Sequence, residues 1–163
     1  MRIAGYAAVL SGIVAIPMVV TLIGMYGLFA AGQTPLGLRV GNVNDWLAVV
    51  VYGLALPVVP AMHVLVRETG QLRSLLLATV GAAGLVITII LQWLLSTGRM
   101  TFEEQIGYVS LSLLAVGAWM VGTGYLARKA GVLPTGLRDG IVGAIYFGYP
   151  VWALNLGKRL LRG

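Results

Sequence analysis

The chain has no cysteine, which excludes disulfides, thiolate metal sites, thioether-linked haem and cysteine nucleophiles. Charge is nearly as scarce. Eleven Lys and Arg and five Asp and Glu make up 10% of the 163 residues, against about 25% in a soluble domain. So few charges cannot cover a core with hydrated surface, so the apolar residues need a solvent other than water. No acidic or basic residue falls deep within a long apolar stretch, which argues against ion-coupled transport and voltage sensing. Glu103 and Glu104 are adjacent and point to different helix faces, so they do not form an acid/base pair. Asp45, Glu68 and Asp139 do not recur at metal-ligand spacing, and no phosphate-binding loop, dinucleotide fingerprint or nucleophile elbow is present. An enzyme is not expected.

What is present is hydrophobic: 59% of residues, with a mean hydropathy of +0.94. The charges divide the chain into five neutral stretches. Crossing a bilayer core takes about 20 helical residues. The pattern predicts an all-α, polytopic transmembrane bundle in one domain, with about five spans near 3–30, 46–66, 74–97, 104–127 and 140–157. The first run is longer than the apolar part of a signal peptide and reads as a membrane helix. Segments 31–45, 67–73, 99–104 and 128–139 read as loops, rich in Gly, Pro, Asn and charge. Thr101 and Glu104 have the spacing of a capping box that opens the fourth helix.

Net charge is +6 and the isoelectric point about 10.1. The basic residues lie singly or in small groups between apolar runs, which suits membrane anchors rather than nucleic-acid binding. Arg2, Arg67, Arg73, Arg128, Lys129 and Arg138 would share one side in a five-span chain, against Arg39 and Arg99. That bias predicts a cytoplasmic N-terminus. The tail disagrees, because five crossings carry Lys158, Arg159 and Arg162 to the other side. A re-entrant last segment, a partner that holds the tail, or a reversed orientation would each resolve this. Arg128, Lys129, Lys158, Arg159 and Arg162 are candidate contacts to anionic lipid head groups. Trp46, Trp93 and Tyr108 mark an outer interface, Tyr6 and Tyr125 an inner one.

His63, the single histidine, lies in the second span. A neutral imidazole there can ligate the metal of a haem or chlorophyll-type pigment, with Gly53, Ala55 and Ala61 as a small-residue face. The alternative is a polar residue bonded to water, head groups or a neighbouring helix. Pro57 and Pro60 predict a kink that frees the carbonyls of Gly53 and Leu56, and Pro17 and Pro150 predict kinks in the first and last spans. Gly136, Gly140, Ala144 and Gly148 recur every four residues, and Ala118 and Gly122 repeat that spacing. Both sets predict close helix packing, within the chain or on a membrane-protein partner or second copy. In-span hydroxyls are expected to bond along or across helices.

Arg2-Ile3-Ala4-Gly5 at the start, Leu133-Pro134 through Gly148-Tyr149-Pro150, and Gly157-Lys158-Arg159 at the end resemble a family of small bacterial polytopic membrane proteins with no assigned function. The resemblance implies a bacterial inner-membrane protein, although that family has one further helix. The residues point to a non-catalytic membrane subunit or accessory protein that packs through small-residue faces and binds lipid. Two alternatives remain open: a pigment- or haem-binding subunit using His63, and a small transporter or channel for a neutral or lipophilic substrate near the Pro57/Pro60 kink.

Overall fold

Twenty-nine residues from Arg2 to Ala30 form α1 of the computed structural model, which describes residues 1–132 and 149–162. Pro17 sits inside α1 without ending it. Thr21, one turn later, donates its hydroxyl back to the Pro17 and Met18 carbonyls at 2.9 Å. The helix closes on Gly32, whose φ of +73° is open to glycine, and the Gln33 N–H returns to the Leu28 carbonyl at 2.9 Å. This glycine-terminated ending recurs twice. Gly98 (φ +69°) and Gly131 (φ +66°) close the fourth and fifth helices, with Arg99 bonded back to Leu94 and Val132 to Ala127.

The second helix, α2, covers Thr34–Ala55. Residues 31–45 are therefore not a loop, as their composition suggests, but mostly the first three turns of a helix. Pro35 is in the first turn, where its fixed φ and missing N–H cost nothing. Gly37 and Gly41, which read as breakers, instead face α1: a Cβ at Gly37 would strike the Phe29 ring, and one at Gly41 would lie 2.9 Å from Met25 Sδ.

The predicted proline kink is present. Leu56 and Pro57 form a turn, and α3 resumes at Val58–Val66. The carbonyls that the prolines free find local donors, Leu56 N–H on Gly53 (3.3 Å) and Val59 N–H on Leu56 (3.2 Å). A 3-10 turn, Arg67–Thr69, leads into α4, Gln71–Ser96, and then α5, Phe102–Lys129. The capping box is formed as expected. Thr101 N–H donates to Glu104 Oε2 (2.8 Å), and Glu104 N–H to Thr101 Oγ1 (3.3 Å). The last described helix, α6, is Tyr149–Arg162.

The described residues form a helical bundle. α1 packs on α2 and α6, α4 on α5 and α2, and α3 on α4 and α5. Among the described residues four rods are long and apolar enough to cross a membrane: Arg2–Ala30, Thr34–Thr69, Gln71–Ser96 and Phe102–Lys129. Their outer faces carry exposed large hydrophobics such as Ile13, Val20, Ile87 and Leu111, as a bundle surrounded by acyl chains requires. Tyr6 and Tyr26 on α1 are both exposed and about 30 Å apart along the axis, and Tyr108 and Tyr125 on α5 about 26 Å. Both separations match a hydrocarbon core of about 30 Å.

α6 runs antiparallel to α1. Pro150 lies beside Gly12, and Leu160 and Leu161 lie beside Gly5. The C-terminal residues therefore sit at the same end as the N-terminus, not across the bundle as five full crossings would place them. Lys158, Arg159 and Arg162 join Arg2, Arg67, Arg73, Arg128 and Lys129 at that end. Arg39 and Arg99 lie towards the other end, where the Arg99 guanidinium stacks over Trp93, 4.9 Å from its centroid. Residues 140–148 of the expected last span are outside the described residues.

Candidate functional site

The interior is stitched by a few polar contacts. Ser11 on α1 meets the Tyr149 hydroxyl of α6 at 2.5 Å and lies 3.3 Å from the Val51 carbonyl of α2. Thr88 and Ser112 pair at 2.8 Å between α4 and α5. Thr21 donates to Asn44 Oδ1 (3.3 Å), and Asn42 Nδ2 donates to the Ser96 carbonyl (3.0 Å). The expected backbone bonding is also present, in Thr79 to Leu75, Thr88 to Gly84, Thr123 to Trp119 and Asn155 to Val151. Such cross-helix bonds specify register in a bundle whose apolar residues give little orientation of their own.

At the centre, Trp119 and Trp152 meet edge to face with centroids 6.3 Å apart, and Tyr149 lies 5.9 Å from Trp152. Trp119 is 1% exposed, and its indole N–H has no acceptor among the described residues. With Met18, Tyr52, Leu85, Met120 and Tyr149 it lines an apolar cavity of about 10 Å³, at the lower limit for one water molecule. The cavity lies beside the α2–α3 break, since Ala55 also lines it.

His63 is half-buried on α3, and its Nδ1 lies 3.0 Å from Ser74 Oγ of α4. Ser74 also donates to the Gln71 carbonyl at 3.0 Å, which leaves its oxygen free to accept from Nδ1. The other ring nitrogen suits a metal, but the surroundings do not suit a macrocycle. Ala55 and Ala61 are buried in helix contacts, and Gly53 lies about 15 Å along the chain axis from His63. The small residues named with it therefore do not gather beside the imidazole, and the contact that His63 makes ties α3 to α4. Among the described residues no group of three or more His, Asp or Glu side chains gathers.

Gly136, Gly140, Ala144 and Gly148 lie outside the described residues. Gly122 packs on Leu77 of α4, whereas Ala118 faces outward and is exposed. The closest helix approach uses glycines that sequence reasoning did not single out. A Cβ at Gly157 would lie 2.7 Å from the Gly5 carbonyl, and one at Gly12 would lie 2.9 Å from the Pro150 carbonyl. Gly81 and Gly84 receive Trp119 and the Ser112 backbone of α5 in the same way. The small residues Ala4, Ala8, Ser11, Gly12 and Ala15 along α1 were a readable signal for this face. Pro150 stands at the start of the described part of α6, and Arg128, Lys129, Lys158, Arg159 and Arg162 are all exposed at the basic end. Comparison with protein-family models, curated proteins and solved structures finds no match to this chain.

Proposed function

We propose that this chain is an integral protein of a bacterial inner membrane with four complete spans and its basic end in the cytoplasm. There it serves as a non-catalytic packing subunit or accessory protein of a membrane complex. The carrying observation is the segregation of charge: Arg2, Arg67, Arg73, Arg128, Lys129, Lys158, Arg159 and Arg162 lie at one end, against Arg39 and Arg99 towards the other. Basic residues in short loops set orientation, and the antiparallel seat of α6 on α1 removes the conflict that a fifth crossing creates. The same end offers anionic lipid phosphates a concentrated positive field. Outward-facing small residues support the packing role. Gly27 and Gly107 have no described atom within 4 Å of a Cβ position, which leaves room for a helix from a partner or a second copy.

The absence of native cysteine makes the topology directly measurable. Single reporters Gly98→Cys, Gly131→Cys and Lys158→Cys are treated in intact cells with a membrane-impermeant thiol reagent. Gly98→Cys should label from outside, and the other two only after the cells are opened. External labelling of Lys158→Cys alongside Gly98→Cys would overturn the four-span orientation. For the assembly role, native mass spectrometry of the gently extracted protein should show a partner chain or a homo-oligomer. A bare monomer from native membranes counts against it.

A further inference from the structure

Just towards the α4–α5 turn from the Thr88–Ser112 pair, the α4–α5 seam holds two amide side chains with bare polar atoms. Among the described residues Gln105 Nε2 and Gln92 Oε1 are both buried and have no hydrogen-bond partner, and Gln105 as a whole is 1% exposed. Gln92 follows Thr88 by four residues on α4, and Gln105 precedes Ser112 by seven on α5. Both therefore share the face of the hydroxyl pair. The Thr88–Ser112 bond at 2.8 Å sets the antiparallel register. Residue 92 then stands opposite 108 and residue 105 opposite 95, an axial offset of about 4.5 Å. Across that offset the two amides share one seam, whose register the Thr88–Ser112 bond sets.

The two bare atoms are complementary. Gln105 offers an N–H and Gln92 a carbonyl oxygen, yet they are not bonded to each other. Buried polar groups in folded proteins are almost always satisfied, and ordered water is the usual partner where protein atoms do not reach. A cation would satisfy Gln92 Oε1 and leave the Gln105 N–H bare; an anion would do the reverse. Only a group that donates and accepts completes both. Asp45 on α2 lies at the same level, because the Asn42–Ser96 contact places residue 45 opposite Gln92 and Trp93. It adds a polar neighbour towards the same end of the bundle.

We infer that the seam contains a built hydration site, one ordered water accepting from Gln105 Nε2–H and donating to Gln92 Oε1. The site sits level with Trp93 and Tyr108, towards the α4–α5 turn.

The test uses the full-length protein in phosphatidylcholine nanodiscs. In the wild type, NMR of the side-chain amides should show a through-space cross-peak between the Gln105 NH₂ and long-lived water. That peak should disappear in Gln92→Leu, where the bridge loses its acceptor. Gln92→Leu and Gln105→Leu should each lower Tm by about 2–10 °C, while the double variant loses clearly less than the two added together. Additive losses, or a contact between the two amides with no water peak, would overturn the inference. So would a Tm raised by sodium chloride but not by choline chloride at equal ionic strength, since that assigns the site to a cation.

Discussion

A Cβ placed at Gly157 meets the Gly5 carbonyl at 2.7 Å and the Val9 nitrogen at 2.8 Å. Both are backbone atoms, so the clash cannot be relieved by turning a side chain. Gly157→Ala and Gly12→Ala should each destabilise the protein by about 1–3 kcal/mol, read as a fall in Tm of a few degrees in mild detergent. Gly27→Ala is the control. No described atom lies within 4 Å of its Cβ position, and its Tm should be unchanged or slightly raised. Equal losses at Gly27 and Gly157 would show that close approach to a neighbouring backbone does not set the cost of these substitutions. At this scale the sequence was partly legible. Twenty-three glycines in apolar runs announce close packing, but which glycine meets which backbone depends on how helices far apart in sequence are paired. Gly37 and Gly41 show the limit: the same residues that punctuate loops also let α2 lie against Met25 and Phe29.

Elements were more readable where their ends carry specific chemistry. The Thr101–Glu104 box could be predicted because it uses only local atoms, and it is present. Thr101→Ala should lower Tm by about 2–4 °C, whereas Thr101→Ser, which keeps the capping hydroxyl, should lose little of it. No change in either would mean that α5 is held wholly by packing. The Pro57/Pro60 break was equally legible, since a missing N–H and a ring clash act within one turn. The start of α2 was not. Gly, Pro and Asn in 31–45 outweighed the first-turn signal of Pro35, and contacts with α1 extended the helix to Thr34. That extension places Arg39 and Asp45 on a helix, with Asp45 next to Trp46 at the level of Trp93. Asp45 therefore lies partly buried towards the end of the bundle that carries Arg39 and Arg99.

For the whole molecule, the decisive quantity is the separation of charge between its ends. Lys158, Arg159 and Arg162 on α6 stand beside Arg2, near the end where Arg128 and Lys129 close α5. If this end holds anionic lipid, the triple substitution of those α6 residues to Gln should weaken retention of phosphatidylglycerol. The expected loss is about tenfold to a hundredfold in native mass spectrometry, because each basic residue near the surface is worth about 1 kcal/mol. Retention of phosphatidylcholine should not change. Equal loss of both lipids would point to a damaged bundle, and no loss of either would remove α6 from lipid binding.

Composition and periodicity alone determined that this chain is a bundle of long apolar helices, because the free energy of hydrating so many neutral side chains is a sum over residues and needs no knowledge of their partners. They also set the local punctuation: the capping box, the proline break and the alternation of basic and neutral loops. Tertiary structure decided the rest. The course of α6 back along α1, the pairing of Gly5 and Gly12 with α6 and the bond from His63 to Ser74 all join residues whose separation in sequence carries no local signal. Their energies arise from contacts that exist only once the helices have chosen neighbours.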